Sequence, residues 1–262
     1  MKRLSYRSGV GVLGVLAAVV AFQASPSATH AWRKYHWART SNPFNVNLGR
    51  NVSSSWLTYL TAASSDWSDA RNTALYTTVV GGGTTGLPCS PTFGRVEVCN
   101  AAYGDTGWLG VAQIWITRGT HIAQGTVKVN DTYFSQGSSY DTASWRQMVM
   151  CQEIGHTFGL NHQDTNFNNV NLGTCMDYTS NPDGPPSNVH PNQHDYDELA
   201  IIYGHLDSFS TVSNAKTSAA PNGLNDPSEW GQLMKTSHGG KTQIFEREFA
   251  NGDRVVTFVI WA

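Results

Sequence analysis

The sequence predicts an α+β domain built on a mixed sheet. Three observations carry that expectation. Short alternating segments recur at 44–50, 95–100, 111–116 and 121–130, as half-buried strands require. Apolar residues fall at helical spacing in 53–63, 142–158 and from 192 onward. These strand and helix signals are interspersed without a regular strand–helix repeat, which favours α+β over a doubly wound parallel sheet.

Residues ahead of these elements read as an export signal. Lys2, Arg3 and Arg7 precede an apolar run from Val10 to Phe22, and small residues follow up to Ala31. Cleavage is expected after Ala28 or Ala31, with Ala31 preferred because Thr29 stands three residues back from the cut. The apolar run is too short for a comfortable span, and no later stretch approaches about 18 apolar residues. The expectation is therefore a secreted or otherwise extracytoplasmic protein with no stable membrane insertion after cleavage. Removing residues 1–31, which hold three basic residues and no acid, leaves 231 residues and moves the formal charge from −2 to −5. Such a surface lacks the basic stripe of a nucleic-acid binder.

Along the chain, 44–50 alternates as a strand, and Ser53 or Ser54 can cap a helix reaching Ala63. Trp67 is expected to pack inward after a turn at 66–69. Thr77–Pro91, rich in Gly, Thr and Pro, is expected to be a long loop. Its Gly81–Gly83 run lacks phosphate-loop spacing. Strands follow at 95–100, 111–116 and 121–130, with Val127–Asn130 expected on an edge strand or lining a cleft. Asp141 or Thr142 starts a buried helix that runs to Phe158, where Gly159 supplies a C-terminal cap. Residues 161–191 are loop-rich. Asn192, with Asp195 three residues on, caps a helix whose inward stripe is Leu199, Ile202 and Leu206. Residues 207–226 read as a linker or extended loop. The segments 242–249 and 254–261 flank an AsnGlyAsp turn, so 227–262 is expected to form a hairpin appendage packing on the main domain of 32–206.

Four cysteines, Cys89, Cys99, Cys151 and Cys175, suggest two disulfides in an exported chain. Three pairings exist; spacing favours Cys89–Cys99 with Cys151–Cys175, while a four-cysteine zinc knot is the rival reading.

The chemistry concentrates in Gln152-Glu153-Ile154-Gly155-His156-Thr157-Phe158-Gly159-Leu160-Asn161-His162-Gln163-Asp164. Positions 152 and 156 lie one helical turn apart and point in similar directions. Gly159 lets the chain turn so that His162 can return toward His156. Zinc ligation needs such convergence, with each nitrogen about 2.0–2.1 Å from a common point. Farther on stands Cys175-Met176-Asp177-Tyr178.

This pattern resembles the metzincins, zinc endopeptidases with His-Glu-x-x-His-x-x-Gly-x-x-His and a methionine-containing turn. Glu153, His156, Gly159 and His162 match it, Met176 fits the turn, and Gln152 stands where the first histidine ligand is expected. The resemblance spans about residues 44–206. It implies a zincin domain with a zinc ion in a cleft, hydrolysing peptide or protein substrates. Glu153 would take a proton from an activated water, and Tyr178 would donate a hydrogen bond to the developing oxyanion. The metal position is expected to be held by His156 and His162, with Gln152 a weaker oxygen ligand. Otherwise water or Asp164 completes the shell, or the site holds no catalytic zinc and the chain is a non-catalytic peptide- or protein-binding module. Asp164 also has two other readings, orienting His162 and capping the following loop. Calcium in the oxygen-rich 161–183 loop is a weaker expectation, because no calcium-loop spacing is present. His121, His190, His194 and His205 lack ligand spacing and are expected to be structural or exposed. Residues 32–43 contain no cysteine, so nothing there suggests a cysteine-switch prosegment.

Overall fold

The computed structural model describes residues 29–212 and 224–262, together with Met1. Most of the export signal and the middle of the expected linker lie outside them. No described helix is long and apolar enough to cross a membrane.

The strands are β1 (His36–Trp37), β2 (Phe44–Asn51), β3 (Leu75–Gly81), β4 (Val96–Ala101), β5 (Trp108–Thr117), β6 (His121–Asn130), β7 (Gln232–Thr236), β8 (Thr242–Glu248) and β9 (Arg254–Trp261). The helices are α1 (Ser54–Trp67), α2 (Ala143–His156) and α3 (Gln193–Ile202). All nine strands join one mixed sheet, in the order β3-β2-β4-β6-β5-β9-β8-β7, with β1 added alongside the start of β6. The pairs among β1, β2, β3, β4 and β6 are parallel, and those from β6 through β5, β9 and β8 to β7 are antiparallel. The α+β expectation with a mixed sheet therefore holds.

Side-chain alternation divides the sheet into two faces. On β9, Val256, Phe258 and Ile260 join the helix-side core, while Val255 and Val259 pack with Trp108, Trp115, Leu224 and Trp230 on the other side. Helix α1 buries Trp56, Leu60, Ala63, Ser64 and Trp67, an i, i+4, i+7, i+8, i+11 stripe. Its last tryptophan donates its indole N–H to the Cys151 carbonyl of α2 at 3.1 Å, fixing the two helices together.

Several sequence expectations shift. Thr77–Gly81 belongs to β3, because its valines and threonines continue the parallel ladder on β2; only 82–91 is loop. Val127–Asn130 sits on a central strand between β4 and β5, not at an edge. Leu206 lies beyond α3 and is exposed, since that helix ends at Ile202. The C-terminal hairpin continues the main sheet: β9 pairs with β5 from Trp108 to Ile116. Asp207 and Thr211 donate their backbone N–H groups to Arg39 and Ala38, so the start of the expected linker is tied to the β1 segment.

The disulfides are Cys89–Cys99 and Cys151–Cys175, each with Cα atoms 6.0 Å apart. The second joins α2 to the segment carrying Met176.

Candidate metal centre

Helix α2 begins at Thr142, whose side chain accepts the Trp145 backbone N–H at 3.2 Å. It ends where Gly159 adopts φ 93°, a conformation costly for any residue with a Cβ. A Cβ there would also stand 2.2 Å from the Tyr35 carbonyl oxygen. The Gly159 carbonyl instead accepts the Trp32 N–H at 2.9 Å, and Ala31 bridges Leu160. Thus the chain reverses against its own N-terminal segment and carries His162 back to His156.

The two imidazoles meet with their Nε2 atoms 3.3 Å apart. His156 donates its Nδ1–H to the Leu160 carbonyl at 2.9 Å, which leaves Nε2 as the lone-pair nitrogen. Two nitrogens bound tetrahedrally to zinc at 2.0–2.1 Å would stand about 3.3 Å apart. The spacing of these two nitrogens therefore matches one edge of a zinc-sized site.

Gln152 and Glu153 are fully buried on the same end of α2. The Gln152 amide donates Nε2–H to the Cys175 carbonyl at 2.8 Å, while its Oε1 and both Glu153 oxygens meet no hydrogen-bond partner among the described residues. Unpaired buried acceptors are costly, and a bound cation or water would relieve that cost. Burial holds the Glu153 carboxyl well above its ordinary range. Burial lowers His156 to about 4. It also lowers His162 strongly, helped by His156, Lys235 and His30.

Met176 lies directly against the helix. A Cβ on Gly155 would meet its Sδ at 2.5 Å and Trp67 at 2.7 Å, so only glycine permits this approach. Tyr178 is placed differently from an oxyanion donor. Its hydroxyl lies 3.1 Å from the Lys241 carbonyl and 3.3 Å from that of Trp261, and burial pushes its pKa up. Asp164 turns into its own loop: its carboxylate accepts the Asn166 backbone N–H at 2.8 Å and the Asn169 amide.

The expected open cleft is covered. Gln152 and Glu153 are 0%, His156 1% and His162 5% exposed. The ring of Phe258 on β9 stacks on His156 with centroids 4.4 Å apart and planes 8° from parallel. Phe258 on β9, the strand paired to the outer side of β5, thus covers His156.

Two further His/Asp groups could coordinate a divalent metal. Among the described residues, ligand atoms of His30, His194 and Asp195 lie within 4.8 Å of one another, a group that cleavage after Ala28 would keep and cleavage after Ala31 would break; those of His36, His205 and Asp207 do likewise. His190, by contrast, pairs with Asp66 at 2.8 Å on the surface. Sequence reading missed His30, His36 and Asp207 because they come from distant segments with no motif spacing. Asp195 was visible only as a cap, a role it does fill by accepting the Asn192 backbone N–H at 2.7 Å.

Comparison of the chain with protein-family models and with curated proteins gives no match. What stands on geometry is a mixed α+β domain, two disulfides and buried histidine/carboxylate clusters capable of holding a metal ion.

Proposed function

We propose that this chain is a secreted zinc-dependent peptidase of the metzincin kind, kept closed by its own C-terminal strands. One observation carries the reading: the Nε2 atoms of His156 and His162 converge at 3.3 Å, with Glu153 buried on the same helix three residues before His156. His156 and His162 hold the ion, and the unpartnered Oε1 of Gln152 supplies a weaker oxygen ligand. Zinc, when bound, supplies a Lewis acid that polarises a peptide carbonyl and acidifies water.

The chain's own groups do the rest. Glu153 holds and moves the proton: its raised affinity suits a carboxyl that must accept a proton and pass it to a leaving amine. Met176 packs beneath the helix and keeps α2 in place. Tyr178 anchors the C-terminal strands through its hydroxyl in the closed chain; on their displacement it becomes free to donate to an oxyanion.

A second reading, a non-catalytic peptide- or protein-binding module, draws support from the cover over the centre and from the amide of Gln152 on Cys175. Purified protein supplied with zinc, elemental analysis and a broad peptide library separate the two, with E153Q as control. Stoichiometric zinc is expected in the intact chain, with cleavage that rises once F258A loosens β9 and is lost again when E153Q is added. Zinc retained without cleavage even in F258A favours the binding module. A folded protein that neither retains zinc nor cleaves sinks the zinc-peptidase reading.

A further inference from the structure

We infer that His36, His205 and Asp207 form a second, separate metal site that takes a zinc-class divalent ion and staples the segment after α3 onto β1. The Nε2 atoms of His36 and His205 face each other at 3.2 Å. Oδ1 of Asp207 stands 3.6 Å from the first and 3.9 Å from the second. These separations bracket the edge of a tetrahedral site with ligands near 2.0–2.1 Å, about 3.3 Å. Two imidazoles and one carboxylate suit zinc and its transition-metal neighbours better than calcium, which prefers an all-oxygen shell.

The surroundings orient each ligand, as supporting groups around metal sites do. His36 donates Nδ1–H to the Lys34 carbonyl at 2.7 Å, so its Nε2 presents a lone pair. Arg39 engages Oδ2 of Asp207 from its guanidinium at 3.0 Å and its backbone N–H at 3.2 Å. Oδ1 is thereby left to the imidazoles, and His121 lies 3.2 Å from it through Nε2, fixing the carboxylate from the start of β6. His36 is buried, whereas the His205 side chain is 54% exposed, so one side stays open for the ion to enter and for water to complete the shell.

Such an ion would tie together two pieces of chain distant in sequence, 36 and 205–207. Asp207 and Thr211 already lie on the β1 segment through N–H bonds to Arg39 and Ala38, each 2.9 Å. Beside His36, Trp37 donates its indole N–H to the Thr157 carbonyl at 2.9 Å, just past the end of α2. The staple therefore braces the helix end that carries His156, without contributing a ligand to that centre.

The test uses untagged full-length protein, dialysed against limiting zinc and counted by elemental analysis, beside H205A. His205 is exposed, so its truncation leaves the fold intact. Wild type is expected to hold one zinc equivalent more than H205A, whatever the occupancy at His156 and His162. Titration with cobalt(II) should give a visible ligand-field spectrum that weakens by one site in H205A, with affinity there lowered on the order of 100-fold. H156A should keep the difference between wild type and H205A unchanged. Equal zinc content and identical cobalt spectra in wild type and H205A would overturn the inference, leaving the cluster a hydrogen-bonded network.

Discussion

Phe258 offers the sharpest test of the closed centre. Its ring is fully buried, stacks on His156 at 4.4 Å and meets Trp32 edge-on at 6.3 Å. Removing a buried phenylalanine to alanine costs about 3–5 kcal/mol. For a domain of this size each kcal/mol lowers Tm by about 2–4 °C, so F258A should melt on the order of 10 °C lower. Global loss alone says nothing about the cover, so a second variant supplies the contrast. Leu60 is equally buried on α1, outside β9, and L60A costs about 2–5 kcal/mol. The assay is extraction of bound zinc by a chromogenic chelator at 25 °C, well below either transition. Release from a covered site requires local opening of β9, a cost that loss of the Phe258 ring reduces directly. If half of the lower estimate, about 1.4 kcal/mol, falls on that opening, release accelerates roughly tenfold. F258A should thus release zinc about ten times faster than L60A, and L60A should resemble wild type. Equal rates in the two variants would refute the idea that this ring closes the centre.

Two other outcomes follow from side chains the fold encloses. Gln152→Ala should weaken zinc binding in a titration, and it removes the donor to Cys175 at a stability cost of about 1–3 kcal/mol; Gln152→His should tighten binding, and unchanged affinity in Gln152→Ala excludes Gln152 as a ligand. Lys128 on β6 is buried with its Nζ on Gln113, Leu224 and Asn225 at 3.0, 3.1 and 2.7 Å, and burial lowers it from 10.5 to about 7. Between those values the unfolded chain binds more protons than the folded one, so stability rises with pH there, with a slope approaching about 1.4 kcal/mol per pH unit. Urea midpoints from pH 7 to 9.5 should climb in wild type and stay flatter in K128M; parallel curves would discount this lysine.

Much of this fold was legible because local chemistry agrees with the global structure. Thr142 and the Asn192–Asp195 pair mark the starts of α2 and α3, where their side chains satisfy free backbone N–H groups. The cysteine pairing follows from spacing and is realised. By contrast, Thr77–Gly81 read as loop because it opens the Gly-, Thr- and Pro-rich stretch 77–91, yet its β-branched Thr77, Thr78, Val79 and Val80 suit the parallel ladder they form with β2. The AsnGlyAsp turn that precedes it predicts that 254–261 is a strand, but no local signal says which edge it joins. That choice, set by long-range pairing with β5, is what seats Phe258 on His156. The same limit hides the His36–His205–Asp207 group: His36 and His205 are 169 residues apart, so only folding brings them into register.

The position of β9 separates metal retention from turnover. An extended peptide commonly binds by adding to a free sheet edge, with its backbone N–H and C=O groups completing the ladder. On β5 that edge is already taken by β9 from Trp108 to Ile116, and one set of backbone groups cannot serve two strands at once. Zinc at the proposed centre would make no such demand, because its ligands would come from α2 and the turn after it. The intact chain can therefore hold zinc while refusing a strand-like substrate at β5. If the chain is a latent peptidase, loosening β9 through F258A raises cleavage along with zinc release, and the gain vanishes when E153Q is added. If it is a binding module, zinc release accelerates in F258A while cleavage stays at background. The paired measurement thus distinguishes a covered catalyst from a metal-holding scaffold, which zinc content alone does not.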